Sequence, residues 1–224
     1  MFESLTLADL LKKKCAVLRE PSSTRPALWV VEEEGVRAVV KDYSLNGFLF
    51  RNFVGRFLAW REEKAYRRLR GLRGVPHFYR VIDGLALVME EIQGKSLEGL
   101  ERESRLSEAF FVDLKALIRS VHRRGLAHCD LKRAPNTLLG NDGLPYIVDW
   151  SAGISLREFR PYPLNLIFRR FLRDDLDAIV KLQLRHCPET VSSEDRARYD
   201  HRGRLERLVR AIRDNLRELL QKIA

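Results

Sequence analysis

Residues 128–136 read HCDLKRAPN, and residues 146–150 read YIVDW. Between them, TLLG (137–140) and LPYIVDW (144–150) flank Asn141-Asp142-Gly143, a hairpin signal. Ahead of them, SEAFFVDLKALIRSVHRRG (107–125) is the clearest helix of the chain. Ser107 is placed to cap it, Phe110, Phe111, Leu114, Leu117, Ile118 and Val121 recur at helical spacing, and Gly125 stops it. A loop carrying Asp130, Lys132 and Asn136 thus lies between an amphipathic helix and a hairpin, and Asp149 ends the hairpin's second strand.

Outward from this loop the organisation changes. ALWVVEE (27–33) and VRAVVKDY (36–43) are β-rich runs around Glu34-Gly35 and predict a second hairpin. FLFRNFVGRFLAW (48–60) is apolar and basic and leads into REEKAYRRLRGL, a helix pattern that stops at glycines. VPHFYRVIDG (75–84) and LALVMEEIQG (85–94) read as two more strands. Residues 5–14 fit a short amphipathic helix and EPSSTRP (20–26) a loop. Beyond residue 160 the chain reads as helical, with a further amphipathic helix over 205–223. Strands with one helix first, then mostly helices, predict an α+β chain of two lobes: a small antiparallel β-sheet lobe over 1–91 and a mainly helical lobe over 92–224. A cleft between lobes is the usual place for a ligand.

The 224 residues suffice for one such domain with a sizeable core, and 45% hydrophobic residues place it among globular chains. No stretch approaches the roughly 20 apolar residues of a membrane span. The opening MFESLTLADLLKKKC carries acids ahead of its lysines and does not read as a signal peptide. Three separated cysteines, Cys15, Cys129 and Cys187, form no metal-binding pattern and predict reduced thiols in a cytoplasmic protein. A net charge of +10 favours polyanions, whether nucleotide phosphates, nucleic acid or an anionic membrane, and does not choose among them.

Phosphoryl transfer needs a cation on the nucleotide phosphates, a metal to screen their charge, and a carboxylate to orient the attacking hydroxyl. The sequence supplies each in order. Lys41 ends the apolar run VRAVVK; alone it reads as an ordinary strand-end lysine, and only a carboxylate partner would make it more. Glu62 and Glu63 are both candidates for that partner. Glu62 shares a helix face with Leu58, Ala65, Tyr66 and Leu69, and a buried acid needs a counter-charge; Glu63 lies to one side and suits an exposed helix start. Asp130 sits in the loop after the long helix, with Lys132 close enough to share a transferred phosphate. Asn136 offers a carbonyl oxygen suited to Mg²⁺, and Asp149 presents its carboxylate at a strand's C-terminal end. Each alone is a loop or turn residue; their joint order is the signal.

At these positions the chain resembles the protein-kinase-like superfamily. VVK (39–41) is similar to its VAIK strand and Glu62 to the helix glutamate that pairs with the lysine. LVMEEIQGKSL (87–97) resembles the last small-lobe strand and hinge, with Met89 at the gatekeeper position and the main chain around Glu90–Ile92 on adenine. HCDLKRAPN resembles the catalytic loop and IVDWS the metal-binding segment. The pattern also departs. No Gly-rich motif precedes Lys41, so Ser22, Ser23 and Thr24 of EPSSTRP take the place of the phosphate loop. Asn136 lies one residue later than the motif has it, which requires a bulge at Arg133–Ala134 or a displaced Asn136. Cys129 replaces the loop arginine that answers activation-loop phosphorylation, and Trp150-Ser151 replaces Phe-Gly.

These departures resemble the atypical branch, which includes RIO-type protein kinases and bacterial lipopolysaccharide-core sugar kinases. The resemblance implies a two-lobed kinase-like fold, ATP and Mg²⁺ as cofactors, and a hydroxyl acceptor on a glycolipid sugar or a protein Ser/Thr. It implies Asp130 and Lys132 as catalytic residues. Lys41, Glu62, Ser22, Ser23, Thr24, Met89, Glu90 and Ile92 would bind ATP, and Asn136 and Asp149 the metal. Asp174 and Asp175 support the catalytic loop or merely begin a helix. FLFRNFVGRFLAW and LIFRRFLR (166–173) either dock on anionic lipid, peripherally at the inner face of the cytoplasmic membrane, or pack in the core with arginines outside. A kinase-shaped binding protein without turnover is the alternative. A nucleic-acid-binding protein is disfavoured, because no motif for one is present.

Overall fold

The run Ala27–Glu33 turns at Glu34 and Gly35, both at positive φ (49° and 78°), into Val36–Asp42. These strands, β2 and β3, pair antiparallel from Ala27↔Asp42 to Glu33↔Val36. In the computed structural model, which describes residues 2, 6–100 and 106–200, they form the middle of a five-stranded antiparallel sheet. Its order is β1 (Lys14–Arg19), β2, β3, β5 (Ala86–Glu90), β4 (Phe78–Ile82). Four of the five strands match the sequence expectation. β1 does not announce itself, because KCAVLR is an edge strand with no fully buried residue and hence no apolar face to read.

The faces of this sheet divide by parity. Trp29, Val31, Ala38, Val40, Ala86 and Val88 pack with Phe2 and Leu10 beneath the helix α1 (Leu7–Lys12). That helix lies within the predicted 5–14 and is closed by reciprocal bonds between Thr6 and Asp9. Val39, Leu87 and Met89 point the opposite way, into the cluster shared with α2 (Arg56–Leu69) and the large lobe. Lys41 has the parity of Val39 and so enters the sheet's inner side, next to α2. A π-helical turn, Phe50–Gly55, runs directly into α2, which buries Ala59, Glu62, Ala65, Tyr66 and Leu69.

The chain leaves the first sheet at Glu90 and enters a second at β6 (Gly94–Ser96), which pairs with β8 (Thr137–Gly140), itself paired with β9 (Pro145–Ile147). A Cβ at Gly94 would collide with the Leu139 carbonyl, so glycine lets the crossing strand lie flat on β8. After the short α3 (Leu97–Leu100) comes α4 (Glu108–Arg123), capped by Ser107 and burying all six residues that its periodicity selects. β7 (Leu126–Ala127) pairs with β10 (Ile154–Ser155), bracketing the loop and hairpin between them. α5 (Leu164–His186) and α6 (Ser193–Asp200) complete the helical lobe. The helix expected over 205–223 lies outside the described residues. Among the described residues no helix is long and apolar enough to cross a membrane.

Candidate active site

Three elements meet at Lys41. β3 delivers its ammonium, α2 delivers Glu62, and the end of the β8–β9 hairpin delivers Asp149. Lys41 Nζ lies 2.6 Å from Glu62 Oε2 and 2.8 Å from Asp149 Oδ1. The choice between the two glutamates is thereby decided: Glu62 is fully buried in this pair, while Glu63 bonds Arg67 on the surface at 2.8 Å. Burial alone would push the Lys41 ammonium down; Asp149 and Glu62 more than offset it and hold the ammonium well above its ordinary value. Burial raises the Glu62 carboxyl, against the pull of Lys41. Burial opposes the charge of Asp149 too, but Lys41 and the Ser151 hydroxyl, 2.7 Å away, hold it below the usual carboxylate range.

Asp149 sits at φ 63° and ψ 70°, and Cys129 at φ 68°. Left-handed backbone at non-glycine residues costs of order 1–3 kcal/mol each and persists only where surroundings enforce it. The enforcers are visible. Asp175 on α5 accepts the amides of His128 (2.7 Å) and Cys129 (2.8 Å) and meets His122 Nε2 at 3.0 Å. His128 Nδ1 accepts the Asp130 amide at 3.2 Å, so Nε2 carries the proton given to Val148 O at 3.0 Å. The His128 ring lies 4.6 Å from that of the buried Trp150. One imidazole thereby ties the loop holding Asp130 to the strand end holding Asp149. Of the two acids weighed on this helix, Asp175 supports the loop, and Asp174 pairs with Arg170 at 3.2 Å.

The extra residue before Asn136 is absorbed locally. Arg133 N bonds Asp130 O and Asn136 N bonds Arg133 O, and Ala134–Asn136 coil into a single 3₁₀ turn. Asn136 is returned to the loop's centre, its Nδ2 donating to Asp130 O (3.0 Å) and reaching Asp130 Oδ2 (3.4 Å). Arg133 Nη1 stands 3.5 Å from Asp130 Oδ2. The Asn136 amide oxygen and the Asp149 carboxylate are hard oxygen donors of the kind that Mg²⁺ takes, and these two residues could hold one. Lys132 is half-buried on the same loop.

A cleft of about 320 Å³ opens between the lobes above this cluster. Leu28, Val39, Met89, Leu138 and Val148 give it apolar walls, Glu90 and Ile92 line its hinge edge, and Lys41, Glu62 and Asp149 its polar end. Met89 is fixed from behind by the buried Tyr66, whose hydroxyl meets its sulfur at 3.3 Å. Ser22, Ser23 and Thr24 are not among the cleft's lining residues. Their loop is a turn closed by Ser22 N on Arg25 O and pinned from below by Asn46 Nδ2, which donates to Ser22 O and Arg25 O. The cation that does line the cleft there is Arg19, the last residue of β1. Its Nε donates to Pro26 O at 3.2 Å; burial depresses its pKa while the charge of Asp149 sustains it. Arg19 escapes sequence reading because β1 does. His128 and Asp175 carry a weak signal, since each is a polar residue inside an apolar pattern.

A family model described as the RIO domain matches residues 50–195, from the turn before α2 through the catalytic-type loop, Asp149 and Asp175. The match begins after Lys41. The comparison with curated proteins finds no match.

Proposed function

Because the chain belongs to the RIO-domain family, whose fold is atypical protein-kinase-like and ATP-binding, we propose that it transfers the γ-phosphate of ATP to a hydroxyl. The observation that carries the reading is the assembled Lys41–Glu62–Asp149 triad at the polar end of an apolar cleft, with the Asp130 loop tied to the Asp149 strand end through His128. In this reading the base lies between Val39, Met89 and Leu138. The amides of Glu90 and Glu91 already bond His77 O and Arg37 O, so a main-chain donor for the base comes next along, at Ile92. Lys41 takes the α- and β-phosphates, and Arg19 covers them in place of a Gly-rich loop. Lys132 steadies the γ-phosphate. Asp130, its backbone held by His128 and Asn136, orients the acceptor hydroxyl and takes its proton. Mg²⁺, held by Asn136 and Asp149, would screen the phosphate charge.

The acceptor is a glycolipid sugar or a protein Ser/Thr, and label transfer separates them. With γ-labelled ATP and a cell-envelope extract, label in the lipid fraction assigns the sugar, and label in the protein fraction assigns Ser/Thr. Asp130→Ala should lower turnover about 10²–10⁴-fold with ATP binding retained. Turnover untouched by Asp130→Ala and Asp149→Ala would remove the assignment, and ATP binding without turnover would favour a kinase-shaped binding protein.

A further inference from the structure

Large apolar side chains stand in water along two short segments. On the first, Phe48, Phe53, Phe57 and Trp60 are 68%, 69%, 52% and 49% exposed. On the second, Tyr162, Leu166 and Ile167 are 79%, 50% and 40% exposed. Neither set serves the core or the cleft, since α2 buries its opposite face and the cleft is lined by other residues. Both segments are basic and free of acids: residues 44–61 hold Arg51, Arg56 and Arg61, and residues 159–173 hold Arg160, Arg169, Arg170 and Arg173.

Cations lie over the exposed rings. Arg51 is 5.7 Å from the Phe48 centroid, Arg61 is 5.5 Å from that of Phe57, and Lys64 is 4.3 Å from that of Trp60. Arg61 also joins the two segments, donating to Gly153 O at 2.5 Å and pairing with Glu158 at 3.1 Å, just ahead of the second. Arg61 thus ties the first segment to the residues just ahead of the second, beside the stretch that leaves Asp149.

We infer that this aromatic and arginine-rich face seats the domain on an anionic lipid bilayer. The rings enter the boundary between headgroups and acyl chains, and the cations above them remain at the level of the lipid phosphates. Charge complementarity selects this occupant: apolar strips whose cations outnumber the acids at their edges, Glu158 on Arg61 and Asp174 on Arg170, match a surface that is anionic outside and apolar immediately beneath. A second copy of the chain would bring cations against cations. The inference is independent of phosphoryl transfer, and its test reads binding alone.

Two of the three tryptophans, Trp29 and Trp150, are buried at 1% and 0% exposure, so a change of emission reports Trp60. The full chain is mixed with vesicles of phosphatidylcholine, alone or with about one-third phosphatidylglycerol. The expected result is co-sedimentation with the anionic vesicles, weakened by salt, with a blue shift of the emission. Phe48→Ser with Phe53→Ser, both at exposed positions, should weaken binding about tenfold or more. Trp60→Phe should keep most of the binding and lose the blue shift. Failure to bind anionic vesicles, unchanged binding by the double variant, or a lipid-free dimer whose emission is already shifted would each overturn the inference.

Discussion

Lys41 Nζ is shared between Glu62 at 2.6 Å and Asp149 at 2.8 Å, so one buried ammonium is the counter-charge to two carboxylates from opposite lobes. Removing it leaves both acids facing each other in low dielectric. Breaking a buried pair by deleting one partner typically costs about 3–5 kcal/mol. Lys41→Met should therefore lower stability by about that amount in a urea melt. It should also abolish ATP binding. A variant as stable as the parent would mean that water reaches the acids and that the pair is not a structural element.

The support of the proposed catalytic loop by α5 makes a second prediction. Asp175 is 1% exposed and is the acceptor for the amides of His128 and Cys129. Asp175→Ala leaves two buried donors unpaired, at roughly 1–3 kcal/mol each. It also removes the restraint that keeps Cys129 at positive φ. Asp175→Asn keeps one acceptor oxygen and should lie between the two. The ordering parent, Asn, Ala is expected in both melting temperature and kcat, with KM for ATP nearly constant, since Asp175 does not line the cleft.

Most of this site is legible from residue order, because it uses patterns that burial enforces. The parity of β3 sends Lys41 inward with Val39, and the helical repeat of α2 sends Glu62 inward with Ala65 and Leu69. Three things are not legible. An edge strand with no buried residue carries no periodicity, so β1 and with it Arg19 go unread. The phase of a helix is predictable only at 3.6 residues per turn, and the π turn Phe50–Gly55 breaks it with wider i→i+5 bonds. Hence FLFRNFVGRFLAW suits core and surface equally well as a sequence, and the structure turns Phe48, Phe53, Phe57 and Trp60 outward while burying Phe50. The spacing of Asn136 illustrates a third limit: a residue count cannot see that a 3₁₀ turn takes up the extra position.

The depressed pKa of Asp149 predicts the acid limb of stability. Its ordinary value is 3.8 and its folded value is lower, so its ionised form stabilises the fold fully above pH 3.8. That contribution is lost as pH falls from 3.8 through the folded value. Asp149→Asn lacks it at every pH. The stability gap between parent and Asp149→Asn should be flat from neutral pH down to about pH 5 and should close below 3.8, measured by urea melts across pH. A gap that closes between pH 5 and 7 would show that Asp149 is not held by Lys41.

Because Lys41 bridges two acids, Glu62 has a role beyond fixing the lysine. It competes with Asp149 for the ammonium, and Asp149 is the proposed metal ligand. In Glu62→Gln the lysine loses its charged partner on α2 and falls wholly to Asp149, 2.8 Å away. A metal then has to displace that ion pair. The substitution also relieves a carboxyl whose pKa burial raises, so stability should change by less than the roughly 3–5 kcal/mol of Lys41→Met. The expected signature is a higher Mg²⁺ concentration for half-maximal ATP binding, at near-parental melting temperature. Glu63→Gln serves as the neighbour control. Its bond to Arg67 is a surface i,i+4 pair, of about 0.3–0.5 kcal/mol, and neither melting nor Mg²⁺ dependence should move appreciably. Equal Mg²⁺ dependence in Glu62→Gln and the parent would place Asp149 outside the metal site.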